Sequence, residues 1–265
     1  MRATSSAEPW LQPELLYVAL AHASLAVVCG LLLLVDAPSV LGTHPAMKPL
    51  KFSLSIALFL GTMAIVVPML QISPALRSVL AWVLCVTMLV EISAIVTQAV
   101  RGVPSHFNVA TPFDAFVWRT MGAAIVVGMI AAAIVAVVAT IRPLVTARGV
   151  LDALQATGWR AGLWLFLLAA VSGFAMGGRH RHSVGGEDGG PGLPVLNWST
   201  EHGDLRVPHF VAIHALQVVP IAAALLARLP IATASRWLVL GSVIAGWMYG
   251  CIHTLVLAFS GAPLR

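Results

Sequence analysis

Long apolar runs separated by short, proline-containing polar segments dominate this chain. A helix of about 20 apolar residues crosses the hydrocarbon of a bilayer. Seven such runs are predicted to be transmembrane helices: Glu14–Val35, Lys51–Leu70, Arg77–Val100, Phe113–Ile141, Trp159–Met176, Pro208–Ala227 and Arg236–Phe259. The fourth is longer than the hydrocarbon requires, which predicts tilt or extension beyond it. The fifth is short. Breakers agree with these bounds: Asp36-Ala37-Pro38 after the first run, Ser73-Pro74 before the third, Arg142-Pro143 after the fourth. Asn108 or Thr111 is expected to cap the fourth. Pro208 is expected in the first turn of the sixth span, where its missing N–H costs nothing. Pro220 lies within that span and predicts a kink. The fold class that follows is all-α, a single transmembrane domain over residues 1–265.

The first run is read as a membrane helix rather than a signal peptide. Residues 1–14 contain one Arg, two Glu and two Pro, so no basic region precedes it. No A-x-A site follows it. Seven spans put the termini on opposite sides. Arg2, Arg77, Arg142, Arg148, Arg160, Arg228 and Arg236 fall on the N-terminal side. Lys48, Lys51, Arg101, Arg119, Arg179, Arg181, Arg206 and Arg265 fall on the other. The count is nearly balanced. The second group, however, sits in motif-like strings beside acids, so the N-terminal side is read as cytoplasmic. The longest loop, residues 177–206, holds eight glycines, three histidines and four acids. A loop of that length is a lid or a disordered segment, and Trp198 with Pro191–Pro194 favours a lid on the membrane surface.

Polar residues inside the spans recur at helical spacing. Lys51, Ser55 and Thr62 share one face. So do Thr87, Glu91 and Gln98, then His214 and Gln217, then Ser242, Gly246, Tyr249 and His253. His22 lies near mid-membrane in the first span. At about 1.5 Å of rise per residue, Glu91, His214, Gln217 and His253 fall in the same half of the membrane, on the side away from the N-terminus. Glu91 then floors a polar basin with Lys48, Arg101, the Ser105–Asn108 string, Asp114, Asp204, Arg206 and His209 above it. A carboxylate at that depth is costly and marks a functional site by default. Ser55, Thr62, Thr87 and Gln217 taken singly read as interhelical glue. The fifth span, with little beyond Ser172, reads as a peripheral helix facing lipid.

Composition narrows the chemistry. Of 265 residues, 59% are hydrophobic and 9% charged, against about 25% charged in soluble domains. No basic cluster alternates with aromatics, so nucleic acid is not an expected partner. Cys29, Cys85 and Cys251 all lie in apolar runs and form no metal pair.

Four readings of the basin follow. In the leading one, Glu91, His214 and His253 hold an iron, zinc or copper ion. His106, His209 and Asp114 are then catalytic groups that position water or transfer protons. Lys48, Lys51, Gln98, Arg101, Asn108, Arg206 and Gln217 bind the substrate, a lipid or small amphiphile. A second reading places haem between His214 and His253. A third is metal-free hydrolysis by Ser105, His106 and Asp114, against which stand the adjacency of Ser105 and His106 and the lack of a GxSxG elbow. The fourth is a proton-coupled carrier of a small anion with Glu91 as the relay. The lipid bilayer is the expected partner, and a homo-oligomer is compatible with every reading.

The strings SHFN (Ser105–Asn108), DGGPGLP (Asp188–Pro194) and GDLR (Gly203–Arg206) resemble segments of uncharacterised bacterial polytopic membrane proteins. That resemblance covers these loops and the adjoining helix ends. It implies a bacterial inner-membrane setting and transfers no activity. The clustered histidine motifs of membrane desaturases and the pattern of ceramidase-like hydrolases are missing.

Overall fold

The computed structural model describes residues 11–264. Arg2 and Arg265 lie outside the described residues. The architecture is all-α, with seven spans long and apolar enough to cross a membrane. They are α1 (Pro13–Leu32), α2 (Met47–Val66, extended by a 3-10 turn Val67–Met69), α3 (Pro74–Val100), α4 (Pro112–Ile141), α5 (Ala153–Leu167) continued by α6 (Ala169–Arg179), α7 (Arg206–Arg228) and α8 (Thr233–Phe259). This is an integral membrane protein.

Proline and caps set where the helices begin. Pro13, Pro74 and Pro112 each stand in a first turn, and Ser73, Thr111 and Asp152 accept a backbone N–H from Leu76, Asp114 and Gln155. A side-chain oxygen at such a position satisfies a donor that the helix leaves free. Helix α5 therefore starts at Ala153 rather than Trp159. The fifth span is not one helix: it breaks at Leu168. Nor is it the peripheral one. Helix α5 packs closely on α7, whereas only 11% of the α8 window is buried, against 28–50% in the other spans.

The α5–α7 contact depends on Gly158 and Gly162, spaced so that both meet the segment of α7 around Pro220. A Cβ at Gly162 would stand 3.0 Å from the Ala215 carbonyl oxygen and 3.0 Å from Pro220 Cδ; one at Gly158 would collide with Ala223 Cβ. Small residues at this spacing let membrane helices approach. We expect Gly162→Val to destabilise the fold by about 2–3 kcal/mol through overpacking, read as a lower unfolding temperature in detergent. Gly241→Ala, whose Cβ meets nothing within 4 Å, serves as the control and should leave it unchanged.

The loop between α6 and α7 is an ordered cap. Strands β3 (Ser183–Val184) and β4 (Gly203–Asp204) pair antiparallel, and a bridge joins Gly192 to Ser199. A short hairpin, β1 (Val145–Thr146) with β2 (Gly149–Val150), lies at the opposite end of the bundle. Gly203 lies against the Ala258 carbonyl, where any Cβ would clash, so β4 docks on the end of α8 through bare backbone.

Candidate functional site

Glu91 is the centre. From α3 it faces the interior of the bundle, with 3% exposure. Its Oε2 is buried and has no hydrogen-bond partner among the described residues. Its Oε1 stands 3.6 Å from Nε2 of His106. That is too long for a direct hydrogen bond, and is a spacing that a small shift or one bridging water would close. A buried carboxyl oxygen without a partner costs free energy that packing alone does not return.

His106 reaches Glu91 from the loop between α3 and α4. Phe52, Phe107 and Trp118 surround its ring at centroid distances of 5.4, 6.0 and 5.5 Å. The backbone turns sharply at Phe107, which has φ +60°. Ser105 Oγ lies 3.2 Å from His106 Nδ1. With the hydroxyl donating, Nδ1 is the bare nitrogen and Nε2 carries the proton toward Glu91. Burial, followed by the nearby charges of Lys48, His182 and His209, holds the His106 imidazole well below its usual 6.5. The neutral ring is thus the folded form. Below pH 6.5 the unfolded chain takes up a proton that the folded site refuses, so stability is full above 6.5 and falls as pH drops. The unfolding temperature in detergent should decline on acidification, and less so for His106→Gln.

Cations ring this pair. Lys48, within electrostatic reach of Glu91, Lys51 and Arg206, makes no hydrogen bond or ion pair among the described residues, and its Nζ stands 5.9 Å from the Phe52 ring centroid. Lys51 donates to the Val195 carbonyl (3.2 Å), and Arg206 donates to the Asn197 carbonyl while gripping Asp204 at 2.6 Å. Both therefore tie the cap to the helices. Asp204 also accepts the backbone N–H groups of Ser199 and Arg206. Asp188 does the same for His182 and Ser183 and bonds His182 Nδ1 at 2.7 Å. Burial opposes ionisation of Asp188, yet the His182 and Ser183 donors hold its carboxyl well below the ordinary range. Burial lowers His182, a shift that Asp188 partly offsets. The His182 ring packs on Phe107 at 4.9 Å, roofing His106.

Other expected site residues fall elsewhere. Asp114 (2% exposed) is a clamp rather than a proton donor in the basin. It takes Gln98 Nε2 at 2.8 Å, Arg101 Nη1 at 2.5 Å and Thr111 Oγ1 at 2.7 Å, while Arg101 also donates to Gln98. Gln98 and Arg101 are therefore engaged in joining α3 to α4. Asn108 caps its own turn through Pro104 and Ala110. Gln217 donates to Thr62 at 3.1 Å, as interhelical glue does, with its Oε1 left unpartnered. His209 donates from Nδ1 to the Ala169 carbonyl at 3.0 Å, beside the α5–α6 break.

The three expected metal ligands do not converge. His214 bonds the Phe210 carbonyl on its own helix at 2.7 Å and lies against the Phe210 ring. His253 is exposed on the outer face of α8 and stacks on Tyr249, itself 66% exposed. Helix α8 instead packs through Leu240, Cys251, Thr254 and Ala258. Among the described residues no three His, Cys, Asp or Glu side chains are grouped to hold an ion. Phe210 and Tyr249 likewise hold the two rings of the expected haem pair on their own helices. The sequence pattern does not show the aromatic box around His106, and it places His182 and Asp188 only in the His-rich lid, not over His106. Lys48 and Phe52, four apart on α2, were the available signal.

The chain was compared with family models, curated proteins and solved structures, and none of them matches.

Proposed function

We propose that the protein is a proton-coupled carrier of a small anionic solute, with Glu91 as the proton site and Lys48 as the anion's main contact. The supporting observation is the buried Glu91 carboxyl with one oxygen unpartnered and the other beside a neutral His106, under a cap tied down by Lys51 and Arg206. Lys48 is the cation left free to meet a ligand. Intramembrane carboxylates and histidines mark proton relays in transporters, and broken helices beside the binding site are common in such folds. Here the fifth span breaks at Leu168, and the adjoining α7 is unbroken but carries Pro220 within its length. Bending there exposes the site to each side in turn. A proton taken up at His106 Nδ1 from hydronium lets the Nε2 proton pass to the Glu91 carboxylate, so that the ring ends neutral and water is the only by-product. Basic residues are nearly balanced between the two ends. Discounting those at the basin end as groups of the site and its cap leaves Arg77, Arg142, Arg148, Arg160, Arg228 and Arg236 at the far ends of the helices to mark the cytoplasmic side. The basin then faces the outside, and a bacterial inner membrane fits the whole.

The test is uptake of succinate, citrate or glycerol phosphate into proteoliposomes under an inward proton gradient. Saturable uptake of at least one supports the reading; none, from folded protein, overturns it. Lys48→Gln should raise the half-saturating concentration about tenfold, the worth of one charge-assisted hydrogen bond.

A second reading rests on the Ser105–His106 contact, which the sequence argued against. With Glu91 as the third member, Ser105 would be an acyl-transfer nucleophile. Labelling of Ser105 by a fluorophosphonate would favour it, and absence of labelling would sink it.

A further inference from the structure

Behind Glu91, on the outer side of α3, an apolar groove of about 350 Å³ runs between α3 and α4, lined by Val86, Val90 and Ser93 of α3 and by Phe116, Val117 and Thr120 of α4. We propose that this groove holds an acyl chain of an anionic phospholipid whose phosphate is met by Arg119. Two independent features carry this. The groove lies within the span at a depth where only lipid tails or protein can enter, and its size falls in the range of small-molecule sites, about 300–1,000 Å³. Arg119, the residue before Thr120, is exposed and has no hydrogen-bond or ion-pair partner among the described residues. It lies seven residues into α4, so its long stem can reach the interface while its guanidinium stays with polar groups. The neighbouring Arg101 is already engaged by Asp114 and lies over the Phe113 ring at 4.7 Å, whereas Arg119 adjoins the lining residue Thr120 and stands about one helical turn from Phe116 on α4. A second copy related by a twofold axis through the groove would bring its Arg119 toward this one, two like charges in a poor dielectric. A phosphate brings the opposite charge. The lipid would buttress the helix that carries Glu91.

The test is native mass spectrometry of the full chain from nanodiscs of equimolar phosphatidylglycerol and phosphatidylcholine. Wild type should retain phosphatidylglycerol with a preference of about fivefold, the size of one cation–lipid contact at a membrane surface. Arg119→Gln should lose the preference while still retaining lipid. Ser93→Phe, which fills the groove from an exposed position, should lose retention of both lipids. Equal retention by wild type, or an undiminished preference in Arg119→Gln, overturns the proposal. So does a lipid-free dimer that Ser93→Phe disperses, which would assign the groove to a second copy. Arg119 is an exposed residue without partners, so its variant remains informative if Ser93→Phe fails to fold.

Discussion

Replacing Glu91 by glutamine should cut proton-driven anion uptake about 100-fold, the lower range for removing a positioned acid–base group. Glutamine keeps the size and hydrogen-bonding capacity of the side chain and removes only the titration, so the protein should fold and retain anion exchange without a gradient. The reason lies in where Glu91 sits. It is 3% exposed on α3, with one oxygen unpartnered and the neutral His106 imidazole 3.6 Å from the other. A carboxylate serving only as interhelical glue would accept a hydrogen bond from a neighbouring helix, as Thr62 does from Gln217, and Glu91 accepts none among the described residues. If Glu91→Gln transports normally, Glu91 is structural and the basin is not a proton site. Uptake assays on the two proteins at equal reconstituted amount decide this.

Asp114→Ala should produce the largest loss of stability of any single substitution at the membrane surface, about 3 kcal/mol. It leaves Gln98 Nε2 and Thr111 Oγ1 without their acceptor and the Arg101 guanidinium without its ion pair. Arg101 is partly exposed, so water recovers part of that pair. Asp114→Asn retains an acceptor and should fall between wild type and alanine. A catalytic aspartate would give the opposite ordering, with asparagine as inactive as alanine and full stability in both. Unfolding in detergent, measured alongside uptake per folded molecule, separates the two roles.

These two residues show what the sequence made legible. Run length sufficed to find seven spans, because crossing hydrocarbon requires a minimum number of apolar residues. The start of α5 was misplaced because Asp152 nucleates a helix in a segment of mixed polarity. The break at Leu168 carries no sequence signal, since neither proline nor glycine marks it; a hydrogen bond from His209 on another helix meets the carbonyl beside it. Depth was readable and rotation was not. Counting residues put Glu91 and His253 in the same half of the membrane, but the polar stripe Ser242–Tyr249–His253 faces outward because α8 packs by its other side. His106 lies in the loop before α4 and Asp114 in the first turn of that helix, and with the backbone turning at Phe107 between them His106 meets Glu91 while Asp114 holds Arg101.

The most direct test is the pH inside sealed proteoliposomes, followed with a trapped dye as a transported anion is added outside. If Glu91 carries the coupled proton, anion entry acidifies the interior for wild type, and the acidification vanishes in Glu91→Gln although anion exchange persists. Anion entry without acidification in wild type, or unchanged acidification in Glu91→Gln, would contradict the account.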